Sequence, residues 1–345
     1  MIQPLKTKRL MQAKPQLREA LLGLLWRQWA ALGVAGATKA DAEWCVDPEA
    51  LVLITTTQGR ADPRLFNEML DWLWVHGESV NVQRLKNIQK AVGLGDRRVL
   101  GAIAAWLSQR STLSKWKPLA ARSEPVAKTE SLFISKDGTP QPSFGQADPI
   151  FLKHGFHRGP IKRRELSHAP NPLLPATLLW KLRALFGVQA RAEILLWLLT
   201  HESGQAADIA RGTFYFPRTV DETLKELAAS GMVKSARAGR EKRYWLKSGE
   251  WSFLQTWNRP DGFPRWIDWA RFFTVQERIG AVLSNRQLSP MLQASELRRV
   301  FDELHPVLTA GGLLPAFAAS RNDTGLAFTD ALLEDLSAFA LRATA

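Results

Sequence analysis

Apolar residues recur at helical spacing along most of this chain, and this repeat constrains the possible folds more than any other feature of the sequence. Residues 16–108 carry apolar positions three or four residues apart, as on one face of a helix. Within them, Asp47-Pro48 and Asp62-Pro63 predict helix starts, because aspartate can cap a helix and proline fits its first turn. Residues 248–345 return to the same spacing. The sequence therefore predicts a mainly α, multi-helix protein.

A proline-rich stretch interrupts the helical pattern between Ser111 and Pro175. It contains nine prolines, and no long helical period survives them because proline lacks a backbone donor and clashes with the preceding turn. The stretch carries a basic triplet at 162–164 and an apolar run at 132–134. A solvated linker would be less apolar, so we expect a connector that packs in part against the domains beside it.

Length and these patterns together divide the chain into four predicted segments. A chain of 345 residues is long enough for two or three domains of ordinary size. The predicted segments are an N-terminal helical domain over residues 1–110, the connector over 111–175, a third unit over 176–248 and a helical interaction or dimerisation region over 249–345.

Charge and cysteine content narrow the class of partner and the compartment. Lys and Arg outnumber Asp and Glu by 46 to 33, which gives a net charge of +13. Such an excess favours polyanionic partners, namely nucleic acid or an acidic membrane surface.

The apolar stretches stop short of the roughly 18 residues that span a bilayer. A single cysteine, Cys45, excludes an intramolecular disulfide and suits a reducing compartment, so we expect a cytoplasmic protein without a membrane partner.

Residues 190–247 carry the most specific pattern, because three helical runs are followed by two short β-like runs around a basic turn. The predicted helices cover residues 192–201, 204–210 and 218–230. In the last of them Val220, Leu224 and Leu227 are spaced to lie on one apolar face, and Gly231 is typical of a helix C-terminus. The predicted strands cover residues 232–234 and 242–246, with the basic turn at 237–240 between them.

This order of elements resembles the winged helix-turn-helix domain of bacterial transcription regulators of the ArsR and MarR type. The shared features are the second helix, a turn, the apolar face of Val220, Leu224 and Leu227, then Gly231, a strand, a basic glycine turn, and Tyr244 and Leu246 on the returning strand. The resemblance covers about 58 of the 345 residues. It implies a small β-wing, a third helix that enters a groove of duplex DNA, and dimerisation through added helices. The aromatic turn at 213–217 departs from the small polar residues of such regulators; packing is its favoured role and stacking on a sugar or base the alternative.

The resemblance places the predicted DNA contacts on the third helix and on the wing. The residues expected near base edges are Arg218, Thr219, Glu222 and, further along, Lys225. Arg218 is the best candidate for a guanine contact. The wing cations expected at phosphates are Arg237, Arg240, Lys242 and Arg243. Asp221, Glu222 and Glu226 on the same helix would repel phosphates, which keeps open a degenerate winged helix that binds a protein instead.

A weaker copy of the same pattern lies upstream, at residues 65–108. Trp72 and His76 in this segment match Trp197 and His201 in the later one. If the copy is a degenerate helix-turn-helix, Arg97 and Arg98 stand at the place that would meet DNA. Chance similarity is an equal alternative, because amphipathic helices draw on few residue types. In either case we expect the two histidines to be partly buried structural residues.

No catalytic or cofactor motif is present in a context that would support it. The phosphate-binding, nucleophile-elbow, zinc-protease and dinucleotide-binding patterns are absent. Cys45 has no patterned histidine partner, and His154 and His157 have no cysteine nearby to complete a metal site. The sequence therefore predicts a non-enzymatic protein with no cofactor and no metal site. An enzyme built from dispersed acidic residues is the less favoured interpretation.

Two functions from different classes fit these observations. The first is a sequence-specific transcriptional regulator that binds double-stranded DNA as a homodimer through the winged helix. The alternative is a protein-interaction or antitoxin-like module, in which a degenerate winged helix binds a protein partner. Only the first function predicts that binding to DNA weakens steeply with salt. Lysine and arginine side chains that contact phosphates release counterions from the DNA, and added salt opposes this release.

Overall fold

The computed structural model describes most of the chain as helices joined by turns, with two small sheets. The described residues are 3–36, 43–121, 128–135, 138–143, 145–239, 241–257, 262–285, 287–310, 314–317, 320 and 322–342. The prediction of a mainly α protein is confirmed within these ranges. None of the described helices combines the length and the apolar character that crossing a bilayer requires.

The first helices of the chain begin where polar side chains cap them. Their bounds are α1 Gln3–Ala31, α2 Pro48–Gln58, α3 Pro63–His76, α4 Val82–Val92 and α5 Arg97–Leu107. The side chains that accept hydrogen bonds from backbone N–H groups in the first turn are Asp47 for α2, Asp62 for α3, Asn81 for α4 and Asp96 for α5. Each cap satisfies donors that a helix leaves unpaired at its N-terminus. The helix starts predicted at Asp47 and Asp62 are confirmed.

The connector packs against the N-terminal helices through apolar side chains. Its elements are α6 Lys117–Ala120, β1 Glu130–Ser131, α7 Pro149–Lys153 and β2 Phe156–His157. β1 and β2 pair in parallel, and Leu132, Phe151 and Phe156 are fully buried. The ring of Phe66 on α3 contacts the rings of Phe133 and Phe151 edge to face. The part of the connector that carries these buried rings is therefore packed against α3 and is not a solvated linker.

One buried carboxylate fixes the last part of the connector. Residues 158–171 have no regular secondary structure and lie largely exposed beside α3. The carboxylate of Asp71 on α3 accepts hydrogen bonds from the backbone N–H groups of Arg164 and Glu165, both at 2.9 Å, and of Leu166 at 3.2 Å. Hydrogen bonds to an ionised acceptor are stronger than neutral ones. They hold the basic triplet 162–164 at a fixed place on the surface.

A second, smaller core forms within residues 178–257. Its helices and strands are α8 Leu178–Phe186, α9 Ala190–Thr200, β3 Gly204–Gln205, α10 Ala206–Thr213, α11 Pro217–Ala229, β4 Lys234–Ala238 and β5 Glu241–Trp245. The strands form an antiparallel sheet in the order β3-β5-β4. Val220, Leu224 and Leu227 of α11 are buried in this core together with Tyr244 of β5, as their spacing predicts.

Several predicted boundaries in this smaller unit are wrong by a few residues, and the predicted basic turn at 237–240 begins inside β4, which extends to Ala238. Two of the differences have a visible cause. The helix α10 begins at Ala206 and not at Gly204, because the two residues before Ala206 pair with β5. The strand β4 begins later than predicted, at Lys234, because the backbone N–H of Val233 still donates to the carbonyl of Leu227 in α11 at 3.3 Å. The first pairing depends on a strand distant in sequence, whereas the second hydrogen bond is local and lies at the C-terminal end of α11.

The C-terminal helices return to the beginning of the chain. Their bounds are α12 Trp269–Ser284, α13 Pro290–Ala310 and α14 Gly325–Arg342. α12 packs on α2 and α4, and α14 packs on α1. The indole N–H of Trp269 donates to the carbonyl of Cys45 at 2.7 Å. These helices therefore share one hydrophobic core with the N-terminal helices, and their role in dimerisation stays a prediction.

Candidate nucleic-acid interface

The hairpin of β4 and β5 places two cations directly opposite each other. Arg237 and Lys242 are partners in the strand register, and Arg243 lies opposite Ala236. Like charges directly opposite in an antiparallel pair are destabilising. Among the described residues, no carboxylate forms an ion pair with Arg237, Lys242 or Arg243. The hairpin therefore carries positive charge that the described part of the chain does not neutralise.

Two of the hairpin cations, Lys234 and Arg243, donate hydrogen bonds to uncharged oxygen atoms. The Arg243 guanidinium donates through Nε to the hydroxyl of Ser203 at 3.1 Å, and the Lys234 ammonium donates to the carbonyl of Gly231 at 2.7 Å. Neutral acceptors fix these side chains without cancelling their charge. The predicted wing residue Arg240 lies outside the described residues.

The predicted base-contact residues lie together on the exposed face of α11. Arg218 has a side chain that is 90% exposed, and Thr219, Glu222 and Lys225 are exposed beside it. Two of these residues pair along the helix, with Arg218 Nε 2.8 Å from Glu222 Oε1. Lys225 Nζ lies 2.6 Å from Asp221 Oδ2. The bonded carboxylates raise the pKa of both Arg218 and Lys225.

A third ion pair joins α11 to α9. Arg191 of α9 donates through Nη2 to Glu226 of α11 at 2.6 Å. All three acids of the exposed α11 face are thus engaged by cations within the same unit. The β4–β5 hairpin differs from this helix, because its cations lack carboxylate partners among the described residues. The candidate interface therefore consists of a neutralised helix and a cationic hairpin.

The turn before α11 is fixed by helices outside the small unit. Phe214 adopts a left-handed backbone conformation with φ 61°, which is uncommon for a residue other than glycine. Its carbonyl accepts from Asn87 Nδ2 at 2.9 Å, and the carbonyl of Thr213 accepts from Arg84 Nε at 3.0 Å. The Arg271 guanidinium lies 4.9 Å from the centre of the Phe214 ring. α4 and α12 therefore hold the turn that sets the position of α11.

The aromatic residues of this turn divide between packing and exposure. Phe214 is 7% exposed, and the Tyr215 hydroxyl accepts a hydrogen bond from Asn81 Nδ2 at 2.7 Å. Phe216, which directly precedes α11, is 64% exposed. The preferred packing role is confirmed for Phe214 and Tyr215 and is wrong for Phe216, which has no buried position in the described fold.

A buried cluster of charges lies behind the turn. Arg84 contacts Glu49 at 2.6 Å and Asp47 at 2.5 Å, while Arg183 contacts Glu49 at 2.7 Å and Glu193 at 2.5 Å. Burial would raise the pKa of Asp47, but the Arg84 guanidinium outweighs it and holds that pKa below its ordinary value. For Glu193, burial outweighs Arg183 and raises the pKa.

Sequence reasoning missed this cluster, although one signal was available. Glu193 is followed directly by an apolar run in α9, and Arg183 stands among leucines in α8. A charged residue is seldom fully buried unless it is paired, so each of these predicts a buried counter-charge. The partners Asp47, Glu49 and Arg84 lie far away in sequence, and no local pattern identifies them.

The connector engages one of the two predicted secondary contacts, Arg98. Arg98 Nη2 donates to Glu130 Oε1 at 2.6 Å, and its guanidinium lies 4.7 Å from the centre of the Phe156 ring. Arg97 is exposed at the start of α5. Of the two arginines, Arg98 is thus already occupied by a carboxylate and an aromatic ring.

The repeated tryptophan–histidine pair has the same structural role in both places. His201 stacks on Trp197 with ring centres 3.9 Å apart, and His76 lies 5.4 Å from Trp72. Burial lowers the pKa of both histidines, which favours neutral imidazoles. Both are partly buried packing residues, as the sequence predicts.

Among the described residues no metal site accompanies this candidate interface, and no known relative indicates its role. The described part of the chain contains no group of three or more His, Cys, Asp or Glu side chains placed to hold a metal ion. A cavity of about 20 Å³ beside Arg84 and Glu193 has room for a single water molecule. The chain matches no known family model, and no curated protein or solved structure is significantly similar to it.

Proposed function

We propose that this chain is a DNA-binding transcriptional regulator in which residues 190–247 form a winged helix-turn-helix. In this proposal α11 is the third helix and the β4–β5 hairpin is the wing. The observation that carries it is the pair Arg237 and Lys242, two cations opposite each other without a carboxylate partner among the described residues. Phosphate groups would supply the missing negative charge.

The charge balance of the hairpin supports the same proposal. Among the described residues from 234 to 247 the cations are Lys234, Arg237, Lys242, Arg243 and Lys247, against the single acid Glu241. Glu241 already accepts a hydrogen bond from Gln205 at 2.7 Å. Phosphate contacts position a protein on DNA and carry no sequence information directly, so discrimination between sequences would fall to α11. By the family resemblance we also propose a cytoplasmic homodimer.

Salt dependence tests the wing. Changing Lys234, Arg237, Lys242 and Arg243 together to Ala should weaken binding to a random-sequence duplex between about 50 and 200 mM salt. The slope of log affinity against log salt should become shallower by roughly 0.9 for each phosphate that the variant no longer neutralises. Fluorescence anisotropy with a labelled duplex measures both quantities.

A matched control removes the same number of charges elsewhere. Lys117, Lys128, Lys153 and Lys162 are exposed on the connector side of the molecule, and changing them to Ala should leave the slope near that of the wild type. Equal effects of the two variants would show that net charge alone drives binding and would overturn the wing assignment. A wild-type chain that binds no duplex even at low salt would overturn the proposed function.

A protein-binding role is the second candidate, and the charge of α11 favours it. The exposed face of this helix carries Asp221, Glu222 and Glu226 against Arg218 and Lys225, and the exposed Phe216 precedes it. Copurification of a stoichiometric partner protein, with no duplex binding at low salt, is the result that this role predicts.

A further inference from the structure

The guanidinium of Arg218 is held at one edge only. Its Nε donates to Glu222 Oε1 at 2.8 Å, one helical turn along α11. No described residue accepts a hydrogen bond from its Nη1 or Nη2 groups, and the side chain is 90% exposed. One carboxylate therefore restrains the long arginine side chain while its outer edge stays available.

That outer edge is the part of arginine that recognises guanine. The planar guanidinium can donate two hydrogen bonds at once to the O6 and N7 atoms of guanine in the major groove. An exposed arginine samples many rotamers, and fixing it on binding costs conformational entropy. A bond to Nε made before binding reduces that cost and leaves the two-pronged edge free.

We propose that Glu222 is a positioning residue that holds Arg218 for a bidentate contact with guanine. This inference rests on the proposed DNA-binding function. Glu222 acts by holding Arg218 and does not contact a base itself. The Glu222 carboxylate also brings negative charge towards the phosphates of a bound duplex. It therefore lowers affinity for DNA of any sequence while it sharpens the preference for guanine.

The same helix offers a matched control for this arrangement. Asp221 and Lys225 form a pair with the same spacing, at 2.6 Å. A lysine ammonium is a point charge without a planar, two-pronged edge. Removing Asp221 changes the charge of α11 as much as removing Glu222 does, but it releases Lys225 and leaves the bond between Arg218 and Glu222 in place.

The test begins with the duplex that the wild type enriches from a random-sequence library. Replacing one guanine at a time by 7-deazaguanine removes only the N7 acceptor. The sensitive guanine should lose part of the roughly 5- to 150-fold in affinity that a whole bidentate pair contributes. Inosine at that position keeps O6 and N7 and should bind like guanine. Arg218→Ala should abolish the difference between guanine and 7-deazaguanine, because it removes every donor to N7. Arg218→Lys should reduce the difference without abolishing it, because the ammonium still donates hydrogen bonds but lacks the planar fork.

Variants of Glu222 then separate the effect of its negative charge on DNA affinity from its effect on the position of Arg218. Glu222→Ala should lose most of the guanine preference while affinity for random duplex stays equal or rises. Glu222→Gln keeps an oxygen that can accept from Nε, so it should retain the preference and still raise affinity for random duplex. Asp221→Ala should keep the preference, and circular dichroism should show an intact helical fold in every variant.

Two results would overturn the positioning role while leaving the proposed function intact. One is a wild-type preference for guanine in Glu222→Ala with Arg218 present. The other is an equal loss in Glu222→Gln and Glu222→Ala, which would show that the hydrogen bond to Arg218 Nε does not hold the guanidinium for guanine. Absence of any duplex binding by the wild type would instead defeat the proposed function.

Discussion

The buried cluster behind the turn that precedes α11 contains more carboxylates than guanidinium groups. Arg84 and Arg183 face three carboxylates, those of Asp47, Glu49 and Glu193. Glu49 contacts both guanidinium groups, whereas Glu193 contacts only Arg183. With Glu193 protonated, two cations and two anions remain. The raised pKa of Glu193 is consistent with this balance.

Two amide substitutions should therefore have very different effects on stability. Glu49→Gln leaves two buried guanidinium groups short of negative charge and should lower the free energy of unfolding by about 3–5 kcal/mol, the usual loss when a buried pair is broken. Glu193→Gln keeps an acceptor for Arg183 and leaves the two guanidinium groups balanced by Asp47 and Glu49, so its loss should be the smaller of the two. Urea denaturation followed by circular dichroism measures both, and equal losses would contradict the unequal roles.

The same reasoning predicts a pH dependence at Glu193. Because its folded pKa is raised above 4.5, the folded protein binds this proton more tightly than the unfolded chain. That stabilisation is complete below about pH 4.5 and is lost as the pH rises through the folded pKa. Glu193→Gln lacks this contribution, so its stability relative to the wild type should increase with pH across that range. A difference that stays constant with pH would contradict the assignment.

At the scale of single elements, the local signals of the sequence were reliable. The caps at Asp47 and Asp62 and the apolar face of Val220, Leu224 and Leu227 depend on neighbours within one or two turns, and each is found as predicted. The helix end predicted at Gly231 is found, with Gly231 in a left-handed conformation directly after Ser230. The start of α10 depends on the pairing of Gly204 and Gln205 with β5, and there the prediction is wrong. The acids of α11 were visible in the sequence, but their pairing with Arg218, Lys225 and Arg191 needed side-chain positions.

The turn before α11 provides a test with two aromatic residues in one short segment. Phe214→Ala removes a buried ring and should lower the free energy of unfolding by about 3–5 kcal/mol. Phe216→Ala removes an exposed ring and should change it by less than about 0.5 kcal/mol. Thermal and urea denaturation of the two variants check the contrast. A large loss in Phe216→Ala would mean that this ring has a buried partner in solution.

At the scale of the whole molecule, contacts distant in sequence decide the arrangement. α14 packs on α1, and the indole of Trp269 reaches the backbone of Cys45. No spacing rule within a single sequence reveals such pairs, which is why the predicted segments 1–110 and 249–345 gave no sign of a common core. The connector was expected to pack in part, but the role of Asp71 in holding it depends on backbone geometry.

Removing that carboxylate should release the connector. Asp71→Ala leaves three backbone donors without their shared acceptor and should lower the free energy of unfolding by about 1.5–3 kcal/mol, as for hydrogen bonds to a charged group. Trypsin should then cleave faster at Lys162, Arg163 or Arg164, because local opening becomes easier. Asp208→Ala, which removes an exposed ion pair with Arg211, is the control and should leave cleavage unchanged.

The cluster of Arg84, Arg183 and their three carboxylates also bears on how this protein can be recombined with others. Residues 176–248 supply only Arg183 and Glu193 to it, and the other members come from α4 and from the start of α2. The proposed DNA-binding unit is therefore not a detachable cassette. A gene fusion that moves it into another protein must carry Asp47, Glu49 and Arg84 along, or replace the buried charges with apolar residues.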